Sequence, residues 1–105
     1  MSDQPEKVRE FIESFIIEEL EIQGARNRGD ELGSDEPSPG TGAFMRMLAR
    51  ALSARNVVEL GTGTGVGTLW LAEGIGEGGT LTSIDSEAEH VHLAREACAE
   101  MGISA

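Results

Sequence analysis

Between residues 5 and 23 the apolar positions Val8, Phe11, Ile12, Phe15, Ile16 and Leu20 recur at three- and four-residue steps among Glu and Lys. That spacing predicts an amphipathic helix whose apolar stripe needs a surface to lie against. Pro5 suits its first turn, where a missing N–H costs nothing. Residues 24–42 (GARNRGDELGSDEPSPGTG) lose the periodicity and are rich in Gly, Pro, Ser and Asp. They read as a loop or mobile connector. Over residues 43–54, Phe44, Met47, Leu48, Ala51 and Leu52 share one side, with Arg46 and Arg50 elsewhere. This predicts a second short helix, with its Met residues as core filler.

The pattern then changes period. Asn56-Val57-Val58-Glu59-Leu60 is a short β-branched run broken by glycines, as expected of a buried strand in a parallel sheet. Helix-like sequence resumes over residues 66–73 and ends at Gly74, Gly76, Gly78 and Gly79. A second strand follows over residues 80–84, closed by Asp85. Ser86 or Glu87 can cap a last helix to about Glu100, and Gly102 is a natural stop. The expected class is α/β: two helices, then strand, helix, strand, helix, with a right-handed crossover into parallel pairing. Two strands leave the sheet incomplete, with unpaired edges. The expectation is therefore the first part of a larger domain, with residues 1–35 as helix and connector and 36–105 as the start of the sheet domain. Open edges also predict a homodimer or other self-association.

Composition narrows the partners. Nineteen acidic against eight basic residues among 105 give a formal charge of −11, which repels phosphate backbones and anionic lipid. Nucleic acid and membrane are poor partners for such a chain. A single cysteine, Cys98, can form neither an internal disulfide nor a thiolate metal site. The first residues are acidic, without the basic and apolar regions of a signal peptide, and no apolar run reaches spanning length. The expectation is a cytoplasmic protein.

Candidate chemistry sits after the first strand. Gly61, Gly63, Gly65 and Gly67 alternate through Gly61-Thr62-Gly63-Thr64-Gly65-Val66-Gly67. Glycine there allows sharp turns and close approach of a ligand to the backbone. The unpaired N–H groups opening the next helix favour a carboxylate or phosphate. Neither register matches G-x-G-x-x-G, because Val66 or Thr68 falls where the third glycine belongs. Glu59, two residues before the first glycine, suits a ligand carrying an ammonium and a sulfonium better than a pyrophosphate. The pattern favours S-adenosylmethionine over NAD. Asp85, 24 residues after Gly61 and at the end of the second strand, is placed to accept both ribose hydroxyls of an adenosine. Capping of a helix remains the alternative role for either acid.

Residues 57–65 followed by Leu81-Thr82-Ser83-Ile84-Asp85 resemble the class I methyltransferases, which have a Rossmann-like fold. Ser38-Pro39-Gly40-Thr41-Gly42-Ala43-Phe44-Met45 and Thr68-Leu69-Trp70-Leu71-Ala72 narrow the resemblance to O-methyltransferases related to the caffeoyl-CoA and catechol enzymes. It covers residues 36–103 and is similar to the amino-terminal half of that fold. The resemblance implies a cofactor site of Glu59, Gly61, Thr62, Gly63, Gly65, Gly67 and Asp85. Glu59 would meet the methionine amino end, the glycines would pass under the methionine portion, and Asp85 would hold the ribose. Residues 36–42 would border the cofactor. Where the family commonly has Tyr-Ser, whose hydroxyl helps bind the cofactor carboxylate, Val66-Gly67 stands here, leaving that carboxylate to backbone N–H groups. The family's catalytic residues and the ligands of its divalent metal lie beyond this stretch, so none is assigned.

The remaining residues read as structure. His90 and His92, two apart on a helix, point in different directions and cannot share a metal. Trp70 is expected to pack its helix onto the sheet, and Cys98 to be a small buried hydrophobe. The leading expectation is S-adenosylmethionine-dependent methylation of a hydroxyl on a small aromatic substrate, with these 105 residues alone inactive. A non-catalytic, partner-completed module and an NAD-dependent oxidoreductase are the alternatives.

Overall fold

The computed structural model describes residues 3–104. Three helices, α1 (Gln4–Phe15), α2 (Leu20–Leu32) and α3 (Pro39–Ala51), precede strand β1 (Asn56–Leu60), helix α4 (Val66–Ile75), strand β2 (Thr80–Ile84) and helix α5 (Ala88–Glu100). The strands pair in parallel from Asn56 opposite Thr80 to Leu60 opposite Ile84, with α4 as the crossover. The class and the strand–helix–strand–helix order agree with the sequence pattern.

The amino-terminal third differs from it. The single helix expected over residues 5–23 breaks after Phe15, where Ile16 and Glu19 are extended. Glu18 is the reason. It reads as a polar spacer, yet it is buried and accepts two bonds from Arg26, at 2.8 Å each, and one from Trp70 Nε1 at 3.0 Å. Burial pushes its pKa up; the bonds from Arg26 and Trp70 and the charge of Arg26 outweigh that and hold it below the ordinary value.

The connector expected over residues 24–42 is helical over most of its length. Ile22, Ala25 and Gly29 of α2 are buried, and Ile22 and Ala25 share one core cluster with Val66, Leu69 and Trp70 of α4 and Ala97 and Cys98 of α5. Tertiary packing overrides the low helix propensity of Gly24 and Gly29 here. Gly33, at φ +71°, ends the helix, and Ser34 N–H donates to Gly29 O. α3 begins four residues earlier than the pattern suggests. Ser38 caps it by accepting from Thr41 N–H, and Pro39 occupies the first turn.

Trp70, expected against the sheet, turns to the helices instead. Its ring lies beneath Arg46 at 4.8 Å, and a side chain at Gly42 would collide with it. The stripe of α1 rests lightly on the fold: Val8, Phe11 and Phe15 stay more than half exposed.

Gly42→Ala should destabilise the chain. Overpacking against a pinned indole costs about 1–3 kcal/mol and offsets the gain of about 1 kcal/mol in helix propensity. Gly24→Ala, whose added methyl would meet only the tip of Arg28, should stabilise it by up to about 1 kcal/mol. Urea denaturation of the two variants checks both signs.

Candidate functional site

The site grows from the carboxyl ends of the two strands. After Leu60 the chain turns back through Gly61, Gly63 and Gly65, with φ of +87°, +56° and +105°, values that ordinary side chains rarely adopt. Gly61 N–H extends the ladder to Ile84 O at 2.7 Å. Thr64 Oγ1 donates to Ala25 O at 2.6 Å, anchoring the loop to α2. Gly65 backs onto α5, where a Cβ would come within 3.1 Å of Ala94 Cα.

Beside the loop lies a cleft of about 540 Å³. It is bordered by residues 34–37, 59–63 and 84–87, and by His90. Glu59, Gly61, Thr62, Gly63 and Asp85 therefore meet on one cavity. Gly65 and Gly67 do not line it.

Glu59 comes from β1 on the face covered by α4. Its Oε1 accepts from Thr68 Oγ1 and from Ser83 Oγ, both at 2.6 Å. Thr62 Oγ1 lies 2.6 Å from Ser83 Oγ. A serine has one proton to give, so Thr62 donates to Ser83 and Ser83 to Glu59. A serine at position 67 would bring its Cβ to 2.5 Å from Glu59 Oε2, which accounts physically for glycine there. Burial pushes the Glu59 pKa up; the two hydroxyls oppose the rise, and the charges of Glu36 and Asp85 reinforce it.

Asp85 behaves oppositely. The N–H of Glu87 donates to Oδ1 and that of Gly63 to Oδ2, both at 2.8 Å. In that order these bonds hold its pKa below the ordinary value. Asp85 thus joins the glycine loop to the start of α5; Oδ1 keeps a further lone pair, while Oδ2 also faces His90 Nδ1. The capping role and the cleft position coexist.

Two cleft residues carried weak sequence signals. His90 Nδ1 lies 3.4 Å from Asp85 Oδ2; its position five residues beyond Asp85, in the first turn of α5, is the signal for it. Glu36 accepts from Thr64 N–H at 3.2 Å and Val66 N–H at 3.3 Å, so two of the donors leading into α4 are already engaged. His92 pairs instead with Glu96. Cys98 is buried in the core, where burial, then the charge of Glu59, raises its pKa. Among the described residues no group of three or more His, Cys, Asp or Glu is arranged to hold a metal ion, and no helix is long and apolar enough to cross a membrane.

A glycine turn and an acid at the ends of adjacent parallel strands, joined by a crossover helix, are the marks of a Rossmann-like nucleotide-binding unit. The O-methyltransferase of Streptomyces achromogenes called TomG, solved with S-adenosylmethionine, superposes with a TM-score of 0.86 at 27% identity, over 98% of this chain and 48% of that one. An O-methyltransferase from Bacillus cereus, solved with S-adenosylhomocysteine, matches in fold with a TM-score of 0.82 at 24% identity, over 92% of this chain and 46% of that one. The O-methyltransferase family profile matches residues 6–105, and the chain belongs to that family. A protein of Mycolicibacterium smegmatis named as an O-methyltransferase is 39% identical over 103 residues, 98% of this chain and 49% of that protein. A similarly named protein of Mycobacterium tuberculosis is 44% identical over 91 residues, 87% of this chain and 41% of its own length. The chain thus spans about half the length of the relatives it matches.

Because the Glu59 pKa is raised on folding, its ionisation opposes the folded state. The penalty is absent below the ordinary value of 4.5 and grows as pH rises through the folded-state value. Glu59→Gln should therefore match the parent in unfolding free energy at acid pH and exceed it near neutrality. Denaturation of both proteins across pH, read as a difference, measures this.

Proposed function

We propose that the cleft binds S-adenosylmethionine and that the chain is the cofactor-binding part of an O-methyltransferase acting on a hydroxyl of a small, aromatic substrate. The observation that carries this reading is the acidic character of the cleft around a partly buried Glu59. Asp35, Glu36, Glu59, Asp85 and Glu87 all border it. Such a cavity disfavours a pyrophosphate and favours a ligand with an ammonium and a sulfonium. The bound forms of the similar TomG and B. cereus proteins support the same cofactor.

In this reading Glu59 Oε2 accepts from the ammonium of the methionine portion, because Oε1 is engaged by Thr68 and Ser83. Gly61, Thr62 and Gly63 let the backbone lie against that portion, while Gly65 and Gly67 act behind the loop, against Ala94 and Glu59. The fixed oxygens of Asp85 accept from the ribose hydroxyls, and its depressed pKa keeps it an acceptor. The cofactor supplies an electrophilic methyl on sulfur; the chain's own residues position it, and positioning is the main source of rate in such transfers.

Residues 36–105 serve as the cofactor-binding unit and residues 1–35 as its amino-terminal support. The cytoplasm suits the single buried thiol. We also propose self-association through the open strand edges and the exposed Val58, Leu60 and Ile84. Sedimentation should give more than one copy per particle; a monomer at every concentration would refute that.

The reading is tested by calorimetry on the 105-residue chain. S-adenosylmethionine and S-adenosylhomocysteine should bind and NAD should not, and Asp85→Ala should weaken binding by about tenfold or more. NAD binding in preference to both would establish the oxidoreductase alternative. Methyl transfer to a catechol should be absent from this chain alone.

A further inference from the structure

The carboxylate of Glu36 occupies a fitted seat. Its Oε1 accepts from the N–H groups of Thr64 and Val66, and its Oε2 from Ser34 Oγ at 2.5 Å. Two glycines make room for the side chain. A Cβ on Gly29 of α2 would come to 2.7 Å from Glu36 Cγ, and one on Gly63 would overlap Glu36 Oε2. The seat lies where the positive end of α4 favours an anion.

We propose that Glu36 is an intramolecular latch: its carboxylate fills the place at the start of α4 that the carboxylate of the cofactor requires, so a carboxylate-bearing ligand binds only by displacing it. This rests on the S-adenosylmethionine reading of the cleft. Three features carry it. Position 67 is glycine and the Thr68 hydroxyl is spent on Glu59, so backbone N–H groups are the donors left for a ligand carboxylate there. Glu36 engages two of them. The bonds, at 3.2 and 3.3 Å, are at or just beyond the long end of the usual N–H···O range and so are displaceable. The backbone around the latch is held, because Arg26 donates to Pro37 O at 2.6 Å and Ser38 Oγ donates to Glu13 at 2.9 Å. Release is therefore a swing of one side chain rather than a movement of the segment.

A latch of this kind discriminates by the carboxylate alone. Binding of S-adenosylhomocysteine, which carries the carboxylate, and 5′-methylthioadenosine, which lacks it, is measured by calorimetry on the parent chain, Glu36→Ala and Glu36→Gln. S-adenosylhomocysteine should bind Glu36→Ala about tenfold more tightly than the parent, with Glu36→Gln between the two. Methylthioadenosine should stay within about twofold throughout. Asp35→Asn, which removes a charge from the same cleft without touching the seat, should give neither ligand a gain in affinity.

In heteronuclear spectra the amides of Thr64 and Val66 should shift on Glu36→Ala, and in the parent on adding S-adenosylhomocysteine but not methylthioadenosine. The same spectra show whether each variant is folded. Equal affinity of parent and Glu36→Ala for S-adenosylhomocysteine, an equal gain for methylthioadenosine, or a comparable gain from Asp35→Asn would overturn the latch while leaving the cofactor reading intact. Binding of neither ligand to any variant would overturn the cofactor reading, and the latch with it.

Discussion

The arrangement of this chain depends on one buried charge. Glu18 draws the extended segment between α1 and α2 inward, and its carboxylate joins Arg26 of α2 to the indole of Trp70 on α4. Arg26 also donates to Pro37 O, so the same group fixes the stretch that carries Glu36 and leads into α3. Neither partner could be lost cheaply. Truncating Arg26 would leave the buried Glu18 carboxylate without its counter-charge, an effect of up to about 3–5 kcal/mol in comparable cases. From this knot the fixings run outward to the glycine loop, through Ala25 O and Thr64, and through Glu36 and the start of α4.

The cleft sets stability against binding. Folding gathers like charges around Glu59 and takes part of its hydration away, so the side chain best placed to meet a cation is also a source of instability without one. The hydroxyl chain from Thr62 through Ser83, together with Thr68, orients the carboxylate without neutralising it. Asp85 has the opposite balance, because two backbone N–H groups favour its charged form. The two acids differ in environment rather than in type. In the function proposed above, a cationic adenosyl ligand placed between them would relieve the first and use the second.

What was legible in the sequence follows the range of the interactions involved. β1, the glycine turn, β2, Asp85 and the stop at Gly102 are local signals, and each lies where its pattern placed it. Glu59, Gly61, Thr62, Gly63 and Asp85 meet on one cleft because strand ends and turns bring them there. α2 was not legible. Its sequence resembles a connector, and Ile22, Ala25 and Gly29 become a helical face only when α4 and α5 are present to receive them. Gly29 is the clearest case, since a residue that weakens an isolated helix is required here by Glu36 and Thr64 beside it. Glu18 misled for the same reason, its partners being 8 and 52 residues away.

The strands show how folding and binding separate in this chain. In both strands exposure alternates, with Val57, Glu59, Leu81 and Ser83 on the more covered face and Val58, Leu60 and Ile84 on the open one. Parallel strands are ordinarily covered on both faces, so the open face is where this half of the fold is least supported. The cleft draws on the loop, the inward-facing acid of β1 and the acid that follows β2, and it shares Leu60 and Ile84 with the open face. Its geometry is held by Ala25, Ser83, Thr68 and the N–H groups of Gly63 and Glu87, all on the covered side or at the strand ends. Cover over Val58 would therefore act on the stability of the chain, whereas cover over Leu60 and Ile84 would also close on the edge of the cleft.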